Sequence, residues 1–543
     1  MQRFLTLLVL AIGILPPLNA TAQFTRQDTL RGSITPERAW WDLTFYDLDV
    51  SVDPASKSLS GTNTVYYRTL TPATRMQIDL QPPMQIESVA QMGKPLDFTR
   101  DGNVYYIDFP AMQQPGESGH VTITFSGSPR EAIRPPWDGG LTWSQDNNGN
   151  PFVATSNQGI GASIWWPNKD HMYDEVDSMR IHLTVPDSLV GVSNGRLVGE
   201  FDNPGPTHTF EWFVDNPINN YGVNLNIGDY VHFGDTYEGE NGDLSLDYYV
   251  LRDDLQKAHK QFAQVPGMLD AFEYWFGPYP FYEDGYKLVE VPYLGMEHQS
   301  SVTYGNGFEN GYRGMDLSGT GWGLKFDFII IHESGHEWFA NNITYKDVAD
   351  MWIHEGFTAY AENLYVDYHF GKEASADYVI GTRGRIRNDI PIIGPYGVNQ
   401  EGSGDMYYKG ANLLHMIRTL IDDDDKWRGI LRGLNKTFYH QTVTTQQIEQ
   451  YIIDESGLGL QPVFDQYLRD IRIPVLEYRW ADGHTLAFRW TNTIEGFQMP
   501  VDVHVAGNTY RLDAKADWQT AEVLARGDVS VDRNYYVTSD QVD

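Results

Sequence analysis

The spacing of apolar residues changes period near position 250, and this change constrains the chain more than any other feature. From about residue 40 to 235 the period is two: Tyr46, Leu48, Val50 and Val52 alternate with Asp47, Asp49, Ser51 and Asp53, and Val121, Ile123 and Phe125 alternate with Thr122 and Thr124. Strands patterned in this way bury one face, and the Gly, Pro, Asn and Asp turns between them predict an all-β unit of two packed sheets. From about 250 onward, residues 253–276, 326–341, 353–370, 409–421 and 445–453 carry helical spacing. After Pro474 the strands return, with 475–480 and 485–490 bracketing Asp482-Gly483, a dipeptide suited to a tight hairpin turn. A chain of 543 residues exceeds what one hydrophobic core holds at roughly 150 residues per domain. The pattern therefore predicts an α+β multidomain protein: a leader at 1–22, an N-terminal β domain at 23–237, a mostly α domain at 238–473 and a small C-terminal β-sandwich-like domain at 474–543.

Composition narrows the chemistry. Lys plus Arg is 39 and Asp plus Glu is 73, a net charge of −34, which is the wrong sign for a partner held through phosphates, so no nucleic acid is expected. There are no cysteines, so any metal must be held by His, Asp and Glu. Among the first 22 residues, Arg3 precedes an apolar run at 4–15, then Pro16-Pro17 and Ala20-Thr21-Ala22. The run is too short to cross ~30 Å of hydrocarbon, and the small residues suit a signal peptidase cutting after Ala22. The sequence thus predicts an exported protein, periplasmic or secreted, with no stable membrane anchor. The aspartates at 422–425 lie between two helical patterns, where acidic side chains cap a helix.

The segment His332-Glu333-Ser334-Gly335-His336 is HExxH, and on a helix its two imidazoles share one face. By composition, roughly 0.02 accidental matches are expected in a chain of this length. Glu355 follows in a second helical segment that a short connection can lay beside the first, which supplies a third ligand. Two imidazoles and one carboxylate with an open fourth position are the donors of a catalytic zinc site. One Zn²⁺ per chain is expected on His332, His336 and Glu355. Glu333 points about 100° round the helix from His332, which suits a general base acting on the attacking water. His354 and His298 are rival ligands: the first adjoins Glu355 on its helix and the second lies far upstream.

HExxH, eighteen residues and then Glu, together with Gly295-Met296-Glu297-His298 upstream, resembles the aminopeptidase N family of zinc metallopeptidases, which includes leukotriene hydrolase. The resemblance covers most of residues 40–470. It implies a saddle-like N-terminal β domain and a thermolysin-like catalytic domain. The family motif usually reads Gly-Ala-Met-Glu-Asn, and here His298 stands where Asn is usual. The resemblance assigns Gly295, Met296 and Glu297 to substrate binding, with Glu297 on the free α-amine. It assigns Tyr407 of Tyr407-Tyr408-Lys409-Gly410 to the oxyanion, in preference to Tyr408, and Gln158 to the substrate N-terminus. The family's longer members carry a large C-terminal helical domain, whereas the residues after Pro474 read as strands, so a short form is expected. The reading is a zinc-dependent aminopeptidase acting on peptides with a free N-terminus. The alternatives are a zinc endopeptidase of thermolysin type and a catalytically silent member serving as a binding module.

Overall fold

The computed structural model describes residues 24–543. The leader and its cleavage point at Ala22 lie outside the described residues. The period-two region forms three sheets instead of the expected two. The largest has eight strands in the order Arg196–Asp202, Thr207–Val214, Met179–Pro186, Trp41–Asp53, Ser58–Thr69, Ser118–Gly127, Gln85–Gln91 and Lys94–Pro95. A three-stranded sheet around Val104–Gln113 and a four-stranded sheet containing Pro151–Ser156 complete the region. Alternation fixes which face of a strand is buried but not which strand becomes its neighbour, and this is why the sheet count was not readable. Tyr46, Leu48, Val50 and Val52 point into a core shared by these sheets, and Asp49, Ser51 and Asp53 point away from it.

A five-stranded sheet follows, in the order Tyr230–Gly239, Gly242–Leu251, Tyr286–Glu290, Val302–Tyr304 and Gly295–Met296. Its first strand runs across residues 237 and 238. Gly295–Met296 is an edge strand, antiparallel to Val302–Tyr304. Helices pack against this sheet. The segment read as one helix at 253–276 is two, Leu255–Gln261 and Val265–Phe276, because Pro266 lacks an N–H and fits only the first turn of the second. The segment read at 326–341 is helical only over Phe328–Gly335. Asp327 caps it by accepting from the N–H groups of Ile329 and Ile330, and beyond His336 the chain turns through Ala340 at φ 154°. Trp352–Phe370, Tyr408–Ile421 and Thr445–Ser456 form as helices close to the expected bounds. Helices at Lys372–Gly381 and Gln461–Arg469 were not expected, whereas the helix Asp424–Thr437 starts where the aspartate run predicts a cap, with Asp423 accepting from the Lys426 N–H.

Strands from Val475–Trp480 to Thr538–Gln541 form a four- and a three-stranded sheet after the helices. Asp482 and Gly483 sit in a wider loop than a two-residue turn, held by the Asp482 carboxylate accepting from the His484 and Thr485 N–H groups at 2.8 and 2.7 Å. Apolar side chains of these sheets, among them Leu476, Trp490 and Val501, are continuous with the core of the helical region.

The segment before the first long strand is tied down by ion pairs from Arg26, Arg31 and Arg38, the last of them fully buried. Arg38 is fully buried in the short helix Pro36–Ala39 and donates to Asp79 Oδ1 at 2.7 Å and to the carbonyls of Leu30, Arg31 and Ser33. Burial raises the Asp79 carboxyl, and the Arg38 charge opposes that rise. Arg38→Met would leave a buried carboxylate without its cation, a change worth about 3–5 kcal/mol. A lower urea midpoint for the N-terminal region is expected, and an unchanged midpoint would show that water replaces the guanidinium.

Candidate metal centre and cleft

The helix Phe328–Gly335 carries His332 and Glu333, with His336 at its C-cap. The helix Trp352–Phe370 packs across it and brings Glu355 opposite the histidines. Glu355 Oε2 lies 3.7 Å from His332 Nε2 and 3.4 Å from His336 Nε2, with all three residues buried. That oxygen accepts no hydrogen bond although it is buried. The far edges of both rings are occupied. His332 Nδ1 meets the Glu362 carboxylate at 2.7 Å, and His336 Nδ1 meets the Phe339 carbonyl at 3.0 Å. Each acceptor fixes the proton on Nδ1, so both Nε2 lone pairs converge with the unpartnered Glu355 oxygen on one point. This donor set fits a zinc ion.

A second donor group, Glu297, Glu333 and His336, shares one histidine with the first. It offers two carboxylates and a single imidazole. Glu297 and Glu333 are therefore read as facing the cavity beside the ligands. Burial raises the Glu333 carboxyl to about 7, with the His332 charge opposing and the Glu297 charge adding to the rise. Burial works against ionisation of Glu355 as well, but the adjoining His336 and His332 prevail and hold it well below the carboxylate range.

The rival histidines are engaged elsewhere. His354 Nε2 accepts from the Tyr345 N–H at 2.9 Å, and its ring stacks on Tyr345. His298 Nδ1 meets Thr303 Oγ1 at 3.2 Å, and burial lowers its pKa to about 3. Neither belongs to a metal-holding group.

The other residues singled out in the sequence line one cavity of about 690 Å³ with the ligands. Gly295 is there for close approach: a Cβ at this position would lie 2.6 Å from Ile329 Cγ2 and 3.3 Å from Glu333 Cγ, so any larger residue would push the edge strand off the HExxH helix. Met296 packs with Tyr221, Tyr293 and Ala154, joining the strand to the N-terminal β region. The Glu297 carboxylate accepts from the Tyr221 hydroxyl at 3.1 Å, and Gln158 Nε2 donates to Glu355 Oε1 at 2.8 Å. Tyr407, just before the helix Tyr408–Ile421, stacks on His332 with ring centroids 6.1 Å apart. Burial, then the Glu355 and Glu297 charges, push its phenol well above the usual range, so it stays a donor. Tyr408 lines the same cavity, but the carboxylate acting on it is Glu362.

Three contributors were not read from the sequence. Glu362 lies seven residues after Glu355, two turns along the same helix face, a spacing that could have identified it. Thr358, whose hydroxyl lies 3.0 Å from His336 Nδ1, follows Glu355 by three. Tyr221 comes from a buried turn of the β region and carries no sequence signal.

Residues 273–467 match the family model described as the Peptidase family M1 domain. The chain is 23% identical over 393 residues to Tricorn protease-interacting factor F2 of Thermoplasma acidophilum, covering 66% of this chain and 47% of that protein. It is 21% identical over 420 residues to leucyl aminopeptidase of Saccharolobus solfataricus, covering 72% and 52%. It thus spans about half the length of these relatives. In fold it is similar to the M1 zinc metallopeptidase of Deinococcus radiodurans, with a TM-score of 0.67, 20% identity and coverage of 81% of this chain and 95% of that one. A two-domain M1 zinc metallopeptidase mutant bound to L-tryptophan gives a TM-score of 0.69 at 20% identity, covering 80% and 96%.

Glu362 orients His332 without itself reaching the metal point. Glu362→Ala is expected to weaken zinc binding 10- to 100-fold, measured by competition with a chelator. Unaltered affinity would show that the His332 ring is held by packing alone.

Proposed function

We propose that this chain, which carries a peptidase family M1 domain, is a zinc-dependent aminopeptidase that removes residues singly from the free N-terminus of peptides. The observation that carries the reading is the placement of the Glu297 carboxylate beside the metal point, in a cavity that also holds Glu333 and Tyr407. A carboxylate there has a use when the substrate brings an ammonium to within one residue of the bond being cut. An endopeptidase has none.

His332, His336 and Glu355 would hold the zinc. When bound, zinc supplies a Lewis acid that polarises the scissile carbonyl and makes water acidic near neutral pH. Glu297 pairs with the α-ammonium. Gln158 commits its amide N–H to Glu355, which leaves its carbonyl oxygen to accept from the same ammonium. Glu333 takes a proton from the attacking water and passes it to the leaving amine. Tyr407 donates to the carbonyl oxygen as charge builds there. The leader read in the sequence would export the enzyme. Sequencing of the exported protein is expected to begin at Gln23, and retention of the leader would count against export.

The free amine separates this reading from that of an endopeptidase. An N-acetylated peptide offers Glu297 a neutral amide and leaves the carboxylate unpaired in a partly dry site. Its kcat/KM is expected to fall at least ~10²-fold below that of the free peptide, with the gap narrowed by Glu297→Ala. Equal cleavage of the two peptides at internal bonds would make the protein an endopeptidase while leaving the metal centre standing.

A further inference from the structure

Resting on the aminopeptidase reading, we propose that Glu401 selects peptides whose first residue is lysine or arginine. No lysine or arginine lines the cavity, whereas six carboxylates do. Five are already engaged. Asp138 accepts from the Ile133 and Arg134 N–H groups, Glu362 holds His332 and Tyr378, and Glu355 faces both histidines and Gln158. Glu333 serves the proton transfer, and Glu297 the α-ammonium. Glu401 is solvent-exposed and forms no hydrogen bond or ion pair among the described residues; the neighbouring cavity wall and the Glu355 charge both raise its carboxyl.

The charge balance isolates the same residue. A divalent ion and one α-ammonium together neutralise Glu355, Glu333 and Glu297. Glu401 adds a negative charge at the exposed side of the cavity, which a second cation on the substrate can meet.

Its place along the substrate follows from the backbone. Asn399, two residues earlier, donates its side-chain amide to the Gly159 carbonyl at 3.2 Å, next to Gln158, and its own N–H to the Asp28 carbonyl at 3.1 Å. These bonds pin the Glu401 loop against the Gln158 segment. The Glu401 charge acts on the Tyr407 phenol as well. The first residue of a substrate lies between those two points, with its amine at Gln158 and Glu297 and its carbonyl oxygen at Tyr407, so its side chain is the one within reach of Glu401. Val348 and Met351 line the same cavity and can cover the methylene stem of a long cationic side chain. The net charge of −34 draws cationic peptides toward the protein in the first place.

The test compares amide substrates beginning with arginine, lysine and norleucine, the last having similar length without charge, on the zinc-loaded wild type, Glu401→Gln and Glu401→Arg. The wild-type kcat/KM for arginine and lysine is expected to exceed that for norleucine by about tenfold or more. Glu401→Gln should bring the ratio near one, and Glu401→Arg below one. Calorimetry of an arginine-first and a norleucine-first tripeptide binding to Glu333→Gln protein, with and without the Glu401 change, should show the same ordering in affinity. A wild-type ratio near one, or a ratio that survives Glu401→Gln, overturns the assignment of Glu401 and leaves the aminopeptidase reading intact. Failure to cleave any of the three substrates overturns both.

Discussion

The rest of the site depends on two imidazoles held by their far edges. With His332 Nδ1 against Glu362 and His336 Nδ1 against the Phe339 carbonyl, neither ring can rotate without losing a buried hydrogen bond, and both Nε2 atoms must face Glu355. The eight-residue helix that carries them is held in turn by Asp327, which caps it while also accepting from Gln261, Tyr304 and Asn306. One buried carboxylate therefore sets the direction of the helix, and the helix sets the face on which the histidines meet. The second helix answers with Glu355 and Glu362 on a single face, one oxygen for the metal point and one carboxylate for the ring that binds it.

The legible part of this arrangement is what short-range spacing encodes. Three residues between two histidines, and a glutamate in the next helical stretch, name the donors. Alternation in Tyr46, Leu48, Val50 and Val52 named the buried face of the longest strand. The rest is fixed by partners distant in sequence. Tyr221 reaches Glu297 across 76 positions, Asn399 reaches Gly159 across 240, and neither contact leaves a periodic trace. The helix expected at 326–341 was overextended because its apolar spacing continues past His336, where packing turns the chain away. The aspartate run marks the start of the helix Asp424–Thr437, which Asp423 caps, but gives no sign of its length.

The walls of the cleft come from different parts of the chain. Gln158 belongs to the β region, Glu297 directly follows the edge strand Gly295–Met296 and Tyr407 precedes a late helix. The small cluster of Met296, Tyr221, Tyr293 and Ala154 joins the first two, and the Asn399 bond joins the β region to the loop before Tyr407. The proposed substrate contacts and the metal-holding residues are therefore positioned by one packed arrangement and not by independent loops.

The continuity of the helical core with the C-terminal sheets has a consequence for how the protein comes apart. Leu476, Trp490 and Val501 share a single apolar cluster with Phe272, Ile330 and Leu414, while the N-terminal sheets keep most of a separate one. Cooperativity follows shared burial more closely than it follows the alternation of β and α along the sequence. The three structural regions thus amount to two cooperative blocks. The tail is expected to melt with the helical region, so damage to the last seventy or so residues should be felt at His332, His336 and Glu355 through lost packing.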